Sequence, residues 1–431
     1  MLLGSSLGRT RVRLRTGSSQ AAHGVPDFSG EKGDGVSTID SEIAPQPNVN
    51  DPAIYHWYRT MRDDHPVHQD PSTGWWVVYR YSDARNVLTN PGTFSSEMHR
   101  MGFPESGLES LPQMDPPRHT RVRRILGTTF TPGSIAAYEP QIVRITNEIL
   151  DGFGDRDRID LVADLAYTVP IAVILEILGL PAEDRHRFYD WARKVMSVTP
   201  EEMAQEGYLE ALGELQQEAI GYLREKVRER KNKPGDDMLT RLANAELDGD
   251  RLTEDETVNF ANVMFAGGHI STTMTVANAV DLLDLNPMAQ AEVRADRSLI
   301  GPAVEEVLRH RPPITTGLRA STREVEVGGV TIPANQHVAA SFCSANRDER
   351  QFPDPEAFDI HRNSEGRHFG FGFGTHHCIG NALGRLETRL VLGVLFDRFK
   401  DIGVDRDGDL AWAIPPQMVG FEKLPVALSR V

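Results

Sequence analysis

Cysteine is nearly absent from this chain: 431 residues carry two, Cys343 and Cys378. Two cysteines build no disulfide framework, so a hydrophobic core must hold the fold, and the composition fits a reducing cytoplasm. Cys343 is expected to be a small buried residue of a strand. Long apolar runs are missing too. Nothing approaches the roughly 18 consecutive apolar residues of a membrane helix, so no spanning segment is expected. Positive charge is in deficit, with Lys+Arg at 46 against Asp+Glu at 62 and a net charge of −16, which argues against nucleic acid as a partner. No internal repeat is visible, and with it goes any repeat architecture.

What is present is a lone thiol in an unusual setting. Phe371, Gly372, Phe373, Gly374, Thr375, His376, His377, Cys378, Ile379 and Gly380 follow His368 and lead into a helical stretch, Asn381 to Phe399. A buried free cysteine in a glycine-rich turn is the plain reading, but the surroundings suit an axial haem ligand better. A thiolate donates electron density to haem iron and favours O–O cleavage. Beside a macrocycle it must be stabilised and shielded from oxidation. Gly372, Gly374 and Gly380 let the backbone approach the porphyrin and adopt positive φ, so that amides can point at sulfur. The following helix adds its positive N-terminal end. His376, two residues before the sulfur, is placed to hydrogen-bond a haem propionate. Cys378 is the expected iron ligand.

The stretch FGFGTHHCIG resembles the haem-binding signature of the cytochrome P-450 family, and two further motifs agree. In EEVLR, Glu306 and Arg309 lie one turn apart on a predicted helix, the spacing at which opposite charges pair. Alone, that pattern is usually a solvated surface pair. The resemblance implies a buried network instead, completed from a downstream meander that matches residues 346 to 362, with Arg362 as third partner. The motifs that must converge on one haem run from His119 to Cys378. Residues 46–431 are therefore read as one domain, although length alone would allow two or three. The implied fold is mainly α with small β-sheets (α+β), the haem lying between a long oxygen-activating helix and the cysteine loop.

The resemblance also supplies haem contacts. DPPRHTRVRR, residues 115 to 124, is similar to the family's propionate-binding segment, and His119 and Arg123, four apart, share a helical face. A buried carboxylate needs a cation or several donors, and Arg319 in GLRAST and His376 would complete the set. Arg118, Arg121 and Arg124 are expected to form a basic patch where an acidic ferredoxin docks, or else to be ordinary solvated arginines. The implied cofactor is haem b (iron protoporphyrin IX), with O2 as co-substrate and electrons from NAD(P)H through ferredoxin reductase and ferredoxin.

On the oxygen-activating helix the chain departs from its family. The usual pattern, Ala/Gly-Gly-x-Asp/Glu-Thr-Thr, pairs an acid with a threonine for proton relay. Here AGGHISTT, residues 266 to 273, puts Ile270 at the acid and Ser271 at the threonine. Ser271 retains a hydroxyl donor, whereas Ile270 carries no proton. Protons then arrive through His269, ordered water or a substrate hydroxyl, or the haem serves something other than ordinary hydroxylation. A register shift would make Thr272 or Thr273 the relay hydroxyl without restoring an adjacent acid. His269 is otherwise a solvated or core histidine. No Arg-Pro pair occupies these positions, so the fatty-acid peroxygenase pattern is not matched.

The implied substrate pocket draws on Met98, Met101, Phe103, Leu108 and Leu111 from a loop, Val263 and Gly267 from the long helix, Ile314, Thr315 and Leu318 beyond the Glu-x-x-Arg helix, and Met418 and Val419 near the end. Such mostly apolar, adaptable side chains call for a hydrophobic small molecule. Polyketide, macrolide, terpenoid, steroid and fatty-acyl substrates all remain open, with specialised or antibiotic metabolism favoured by family habit. The expected activity is monooxygenation by a monomeric enzyme. Oxidative coupling, desaturation, isomerisation or peroxide-driven chemistry on the same thiolate is the alternative. A haem-free accessory role is disfavoured by the intact signature.

Elsewhere the periodicity predicts helices over residues 51–64, 131–153, 182–198, 200–231, 254–285 and 299–310. A strand is expected over 74–82, then a helix to Leu88 capped by Ser82 and Asp83. Residues 325–338 read as a hairpin turning at Gly328-Gly329 and at Pro333-Ala334-Asn335. Residues 1–45 are expected to be a disordered extension. Arg9, Arg11, Arg13 and Arg15, with no acid before residue 26, give it a transit-peptide-like composition without an apolar signal region.

Overall fold

A computed structural model of the chain describes residues 46, 48, 50–101, 110–196, 207–413 and 418–431. The extension expected over 1–45, and Phe103 and Leu108 of the expected pocket, lie outside the described residues. Helices run in chain order as α1 (Ala53–Asp64), α2 (Tyr81–Thr89), α3 (Arg118–Gly127), α4 (Pro132–Ala136), α5 (Glu139–Asp151), α6 (Thr168–Leu178), α7 (Arg185–Met196), α8 (Tyr208–Asn232), α9 (Met238–Ala243), α10 (Glu254–Leu285), α11 (Pro287–Ala295), α12 (Ile300–His310), α13 (Phe342–Ala345) and α14 (Asn381–Arg398). Strands are β1 (Val67–Gln69), β2 (Trp76–Val78), β3 (Phe94–Ser95), β4 (Arg158–Asp160), β5 (Glu246–Leu247), β6 (Asp250–Arg251), β7 (Thr316–Ser321), β8 (Val325–Val327), β9 (Val330–Ile332), β10 (His337–Ser341), β11 (Phe399–Val404), β12 (Ala411–Trp412), β13 (Phe421–Lys423) and β14 (Pro425–Arg430).

The central helix α10 starts where its sequence says it should. Thr253 Oγ1 accepts from the amide of Glu256 at 3.1 Å, and Glu256 Oε2 accepts from the amide of Thr253 at 2.9 Å. This reciprocal cap, with Glu254 and Asp255 beside the positive helix end, launches 32 helical residues. From Thr272 to Leu283 every residue is buried. Helix α6 packs alongside, so closely that a Cβ on Gly268 would meet Ile174 Cδ1 at 2.7 Å. Because α6 is apolar almost throughout and buried over most of its length, it carries no amphipathic stripe from which to predict it.

Several expected elements are corrected. The helix expected over 131–153 is two. Pro140 has no N–H to give the carbonyl of Ala136, so the chain breaks after α4 and restarts as α5 with the proline in its first turn. The strand expected over 74–82 shrinks to β2. Helix α2 begins at Tyr81 with Arg80 at its cap position, which puts Ser82 and Asp83 inside the first turn instead of at the cap. Cys343 is buried as expected but sits in the one-turn helix α13, just after β10. The hairpin expected over 325–338 is shorter: β8 and β9 pair around Gly328-Gly329, both at positive φ, while β10, after Pro333-Ala334-Asn335, pairs with β7 and β2 instead.

A five-stranded sheet has the order β1-β2-β10-β7-β3, antiparallel except for the parallel β2–β10 pair. One core is helical, and a second lies around this sheet. The cysteine loop is gripped by both. Phe369 is buried in the sheet core and Phe373 packs on it, while Phe371 and Ile379 pack against the helical core. Alternate aromatic side chains thus fix the loop on its two sides.

Candidate active site

The loop before Cys378 is a tight hairpin. Gly372 donates to Phe369 O at 2.8 Å, Cys378 donates to Phe371 O at 2.9 Å, and Gly372 and Gly374 have φ of 67° and 70°. At Gly374 a Cβ would lie 2.8 Å from Leu88 O, so both backbone conformation and proximity demand glycine. Gly380 departs from expectation: its φ is −82°, and its contribution is a backbone hydrogen bond to the Cys378 sulfur and the space a side chain would take, a Cβ there lying 3.8 Å from Sγ. Burial pushes the Cys378 thiol up, while the Gly380 amide, Arg123 and Arg385 pull it down. Metal coordination would shift this balance to the thiolate.

Two buried networks hold the loop. Glu306 and Arg309 form a bidentate pair at 2.7 and 2.8 Å, both fully buried, and Arg362 Nε donates to Glu306 at 3.1 Å. Arg309 also donates to the carbonyls of Asn346, Pro355 and Ala357, which ties the meander to α12. The neighbouring Glu305 builds the second network, which adjacency to Glu306 hid at the level of sequence. Glu305 accepts from Arg385 of α14 at 2.6 Å and from His368 Nε2 at 3.0 Å, while His368 Nδ1 accepts from Gly370 N at 3.0 Å. Burial opposes ionisation of Glu305, but the His368 and Arg385 hydrogen bonds outweigh it and hold the carboxyl at about 2. Arg385 also stacks over Phe371, 4.4 Å from the ring centroid.

The residues expected at the propionates come together. His119 of α3 and His376 have ring centroids 4.2 Å apart, and Ser96 Oγ is 3.1 Å from His376 Nε2. Arg123 Nη2 donates to the carbonyl of His377 at 2.5 Å. Both ring nitrogens of buried His119 lack a hydrogen-bond partner among the described residues. Arg319 on β7 is 8% exposed, donates to the carbonyl of Leu318 at 2.7 Å and has no ion-pair partner among the described residues. Burial draws Arg319 down to about 10, with Asp115 opposing. Burial, together with nearby cations, lowers His119 to about 4 and His376 to about 3. The imidazoles are thereby held neutral, and buried Arg319 is left as a cation to which an added carboxylate would bind favourably. Ser96 and Asp115 escaped the sequence analysis; Asp115 accepts from the Ser96 amide at 2.8 Å and its charge reaches Arg319.

Helix α10 presents Val263, Gly267, Ile270 and Ser271 at half-buried or exposed positions, whereas Thr272 and Thr273 are buried on the other side. A Cβ on Gly267 would meet nothing within 4 Å. Ser271 Oγ donates to Gly267 O at 2.8 Å; Thr272 does the same to Gly268 and Thr273 to His269. His269 turns away from this face. It is 2% exposed, stacks on Phe265 with centroids 4.9 Å apart, meets Tyr167 edge-on, and its Nδ1 is 2.6 Å from Phe265 O. Burial lowers it to about 4, so it is neutral at physiological pH, on the face opposite Gly267 and Ser271.

Other expected residues divide. Ile314 and Leu318 are half-buried, and Ile314 bridges Met418, which is half-buried too. Thr315, Val419 and Leu111 are buried, and Val419 belongs to a core cluster with Ile54, Tyr58 and Cys343. Met98 and Met101 fall in a 3-10 turn, Met98–Met101. In the expected basic patch, Arg121 pairs with Asp250 and Glu256, each at 2.7 Å, and Arg124 with Asp248 at 3.1 Å. Two of its three charges are met by this chain's own acids.

The donor set fits a haem: one thiol in an amide-lined loop, and buried cationic and imidazole donors short of an acceptor. The comparisons agree. The family model for cytochrome P-450 matches residues 53–409. The chain is 44% identical over 357 residues to cyclomarin C epoxidase CymV of Salinispora arenicola, covering 82% of this chain and 90% of that protein. It is 36% identical over 382 residues to erythromycin C-12 hydroxylase of Saccharopolyspora erythraea, covering 88% and 95%. Among solved structures, ligand-free cytochrome P-450 TbtJ1 superposes with a TM-score of 0.82 at 40% identity, over 89% of this chain and 100% of that one. Among the described residues no helix is long and apolar enough to cross a membrane. The matched length, the fold and the arrangement around Cys378 lead to one conclusion: the chain belongs to the cytochrome P-450 family and is a monooxygenase of the bacterial type.

Proposed function

We propose that this monooxygenase inserts one oxygen atom from O2 into a hydrophobic specialised metabolite of the polyketide, macrolide or terpenoid kind, with electrons from NAD(P)H through a ferredoxin reductase and a ferredoxin. The observation that carries the haem assignment is buried His119, both ring nitrogens without a partner among the described residues, beside His376 and near the buried Arg319, which has no ion-pair partner there. On this reading Cys378 ligates the iron, and His119, Arg123, Arg319 and His376 hold the propionates. Haem bound through a thiolate supplies reductive activation of O2. The protein supplies position, proton and exclusion of water. Glu305, Arg385 and His368 keep the loop rigid, so the sulfur is held where the ligand must be. Ser271 Oγ, hydrogen-bonded to Gly267 O, is the hydroxyl on the open face of α10. Ile270 and His269 give no proton there, so solvent or a substrate hydroxyl is the source.

The substrate class is supported by relatives named for an erythromycin hydroxylation and a cyclomarin epoxidation, together with the mainly apolar residues Val263, Ile314, Leu318 and Met418. Ile270 at the acid position favours a second reading, in which the same haem drives coupling, desaturation or another non-hydroxylating oxidation. The test is a reduced CO spectrum of wild type and Cys378→His, followed by product analysis with ferredoxin partners. A thiolate-type band is expected in wild type and lost in the variant. Its survival in Cys378→His would defeat the ligand assignment, and a product without added oxygen would select the second reading.

A further inference from the structure

Two turns beyond Ser271, near the same azimuth of α10 and roughly 10 Å along its axis, stands the fully buried Asn278. Its Nδ2 donates to the carbonyl of Val419 at 2.9 Å and reaches that of Arg311 at 3.4 Å. One amide thus ties two segments remote in sequence: the exit from α12 that leads to Ile314 and Leu318, and the turn that carries Met418. The segments also hold each other, through Val419 N donating to Pro313 O at 3.2 Å and the Ile314–Met418 bridge.

The neighbouring residues of α10 reinforce this. One turn before Asn278, Met274 approaches Gly420 so closely that a Cβ there would collide with its Sδ and lie 3.0 Å from its Cβ. One turn after, buried Asp281 accepts from Arg311 at 2.5 Å and from Arg406 at 2.8 Å. An apolar side chain would fill the position of Asn278 equally well. A donor there has a different effect: it fixes how far two segments without helical structure of their own stand from the helix that carries Ser271.

We infer that Asn278 is a positioning residue for substrate selection: its amide sets the offset of Ile314, Leu318 and Met418 from Ser271, and with it the shape of the pocket. The inference rests on the reading above for the claim that these side chains face substrate. Removing the amide donor leaves the two segments joined to each other through Val419 N and the Ile314–Met418 bridge but unties that joined pair from this point of α10, so its offset from Ser271 is no longer set by a hydrogen bond.

The test uses the haem-loaded protein and two iron-binding probes of different size, imidazole and 4-phenylimidazole, titrated by Soret shift. Asn278→Leu is expected to change 4-phenylimidazole affinity by about tenfold and imidazole affinity by less than about twofold, with the CO band of wild type retained. Gly420→Ala displaces the same turn from the other side and is expected to alter the same ratio. An unchanged ratio in both, with normal haem content, overturns the inference. If Asn278→Leu loses haem, Gly420→Ala and the milder Asn278→Gln decide; loss of haem in all three also overturns it, because Asn278 would then be a general support and not a selector. Absence of a thiolate-type CO band in wild type would instead sink the haem assignment itself.

Discussion

Arg123 on α3 donates to the carbonyl of His377, the residue directly before Cys378, at 2.5 Å. The helix that carries His119 is thereby latched to the loop that carries the thiol, and the same guanidinium helps draw the thiol down against the effect of burial. Arg123→Gln should weaken haem retention by roughly 1–3 kcal/mol, the cost of removing a charged donor from a buried acceptor. Arg123→Lys should recover only part, since a point charge cannot reproduce the fork. Haem transfer to apomyoglobin measures both; equal transfer rates for wild type and Arg123→Gln would speak against the latch.

Arg121 leads to a prediction that the ferredoxin-patch expectation would not have made. Its guanidinium is already shared between Asp250 and Glu256. Arg121→Glu places a third acid there, so the Tm should fall and the fall should shrink in high salt as the repulsion is screened. The rate of reduction by ferredoxin should follow the folded fraction and no more. Slowed reduction at unchanged Tm would restore the docking role.

Ser271 is the polar side chain of the relay motif left on the open face of α10. Ser271→Ala should lower product formed per NAD(P)H consumed and raise hydrogen peroxide release, because proton delivery is then slower than loss of reduced oxygen. Ile270→Glu separates two roles. If water carries the proton, added acid improves coupling; if Ile270 packs against substrate, the buried charge impairs substrate binding. Coupling to an identified substrate that is unaltered in Ser271→Ala would move attention to Thr272.

Glu387 on α14 is fully enclosed, and its Oε1 has no partner among the described residues. Burial pushes its carboxyl up to about 8. A raised folded value means that the stability present below the unfolded carboxyl range is lost as pH climbs through about 8. Glu387→Gln removes that dependence. Urea unfolding should therefore show the variant gaining on wild type between pH 5 and pH 8, by on the order of 1–3 kcal/mol. A difference that is flat with pH would mean Glu387 is ionised in the folded protein.

Local chemistry and short spacings were legible in the chain itself. FGFGTHHCIG, the Glu306–Arg309 turn and the span of the long helix over 254–285 each depend on residues within a few positions, where backbone geometry dictates who meets whom. Which of Ser271, Thr272 and Thr273 faces the open side was left undecided by spacing, and burial of the two threonines separated them. What separated residues do to one another was not legible. His269 sits in the relay motif, yet only the packing of Phe265 and Tyr167 around it shows that it turns away from the open face. Arg121 has the charge of a docking residue, yet a hairpin more than a hundred positions downstream neutralises it. Glu305 looks like a copy of Glu306 until His368 and Arg385 arrive from the other side of the loop. Helix α6, with no polar stripe, could be recognised only once its neighbours covered it. Sequence thus determined the class of chemistry, because a thiolate loop and its helix are local structures. Tertiary structure decided which charges are spent on one another and which stay available, because desolvation and pairing depend on distances that no linear spacing encodes.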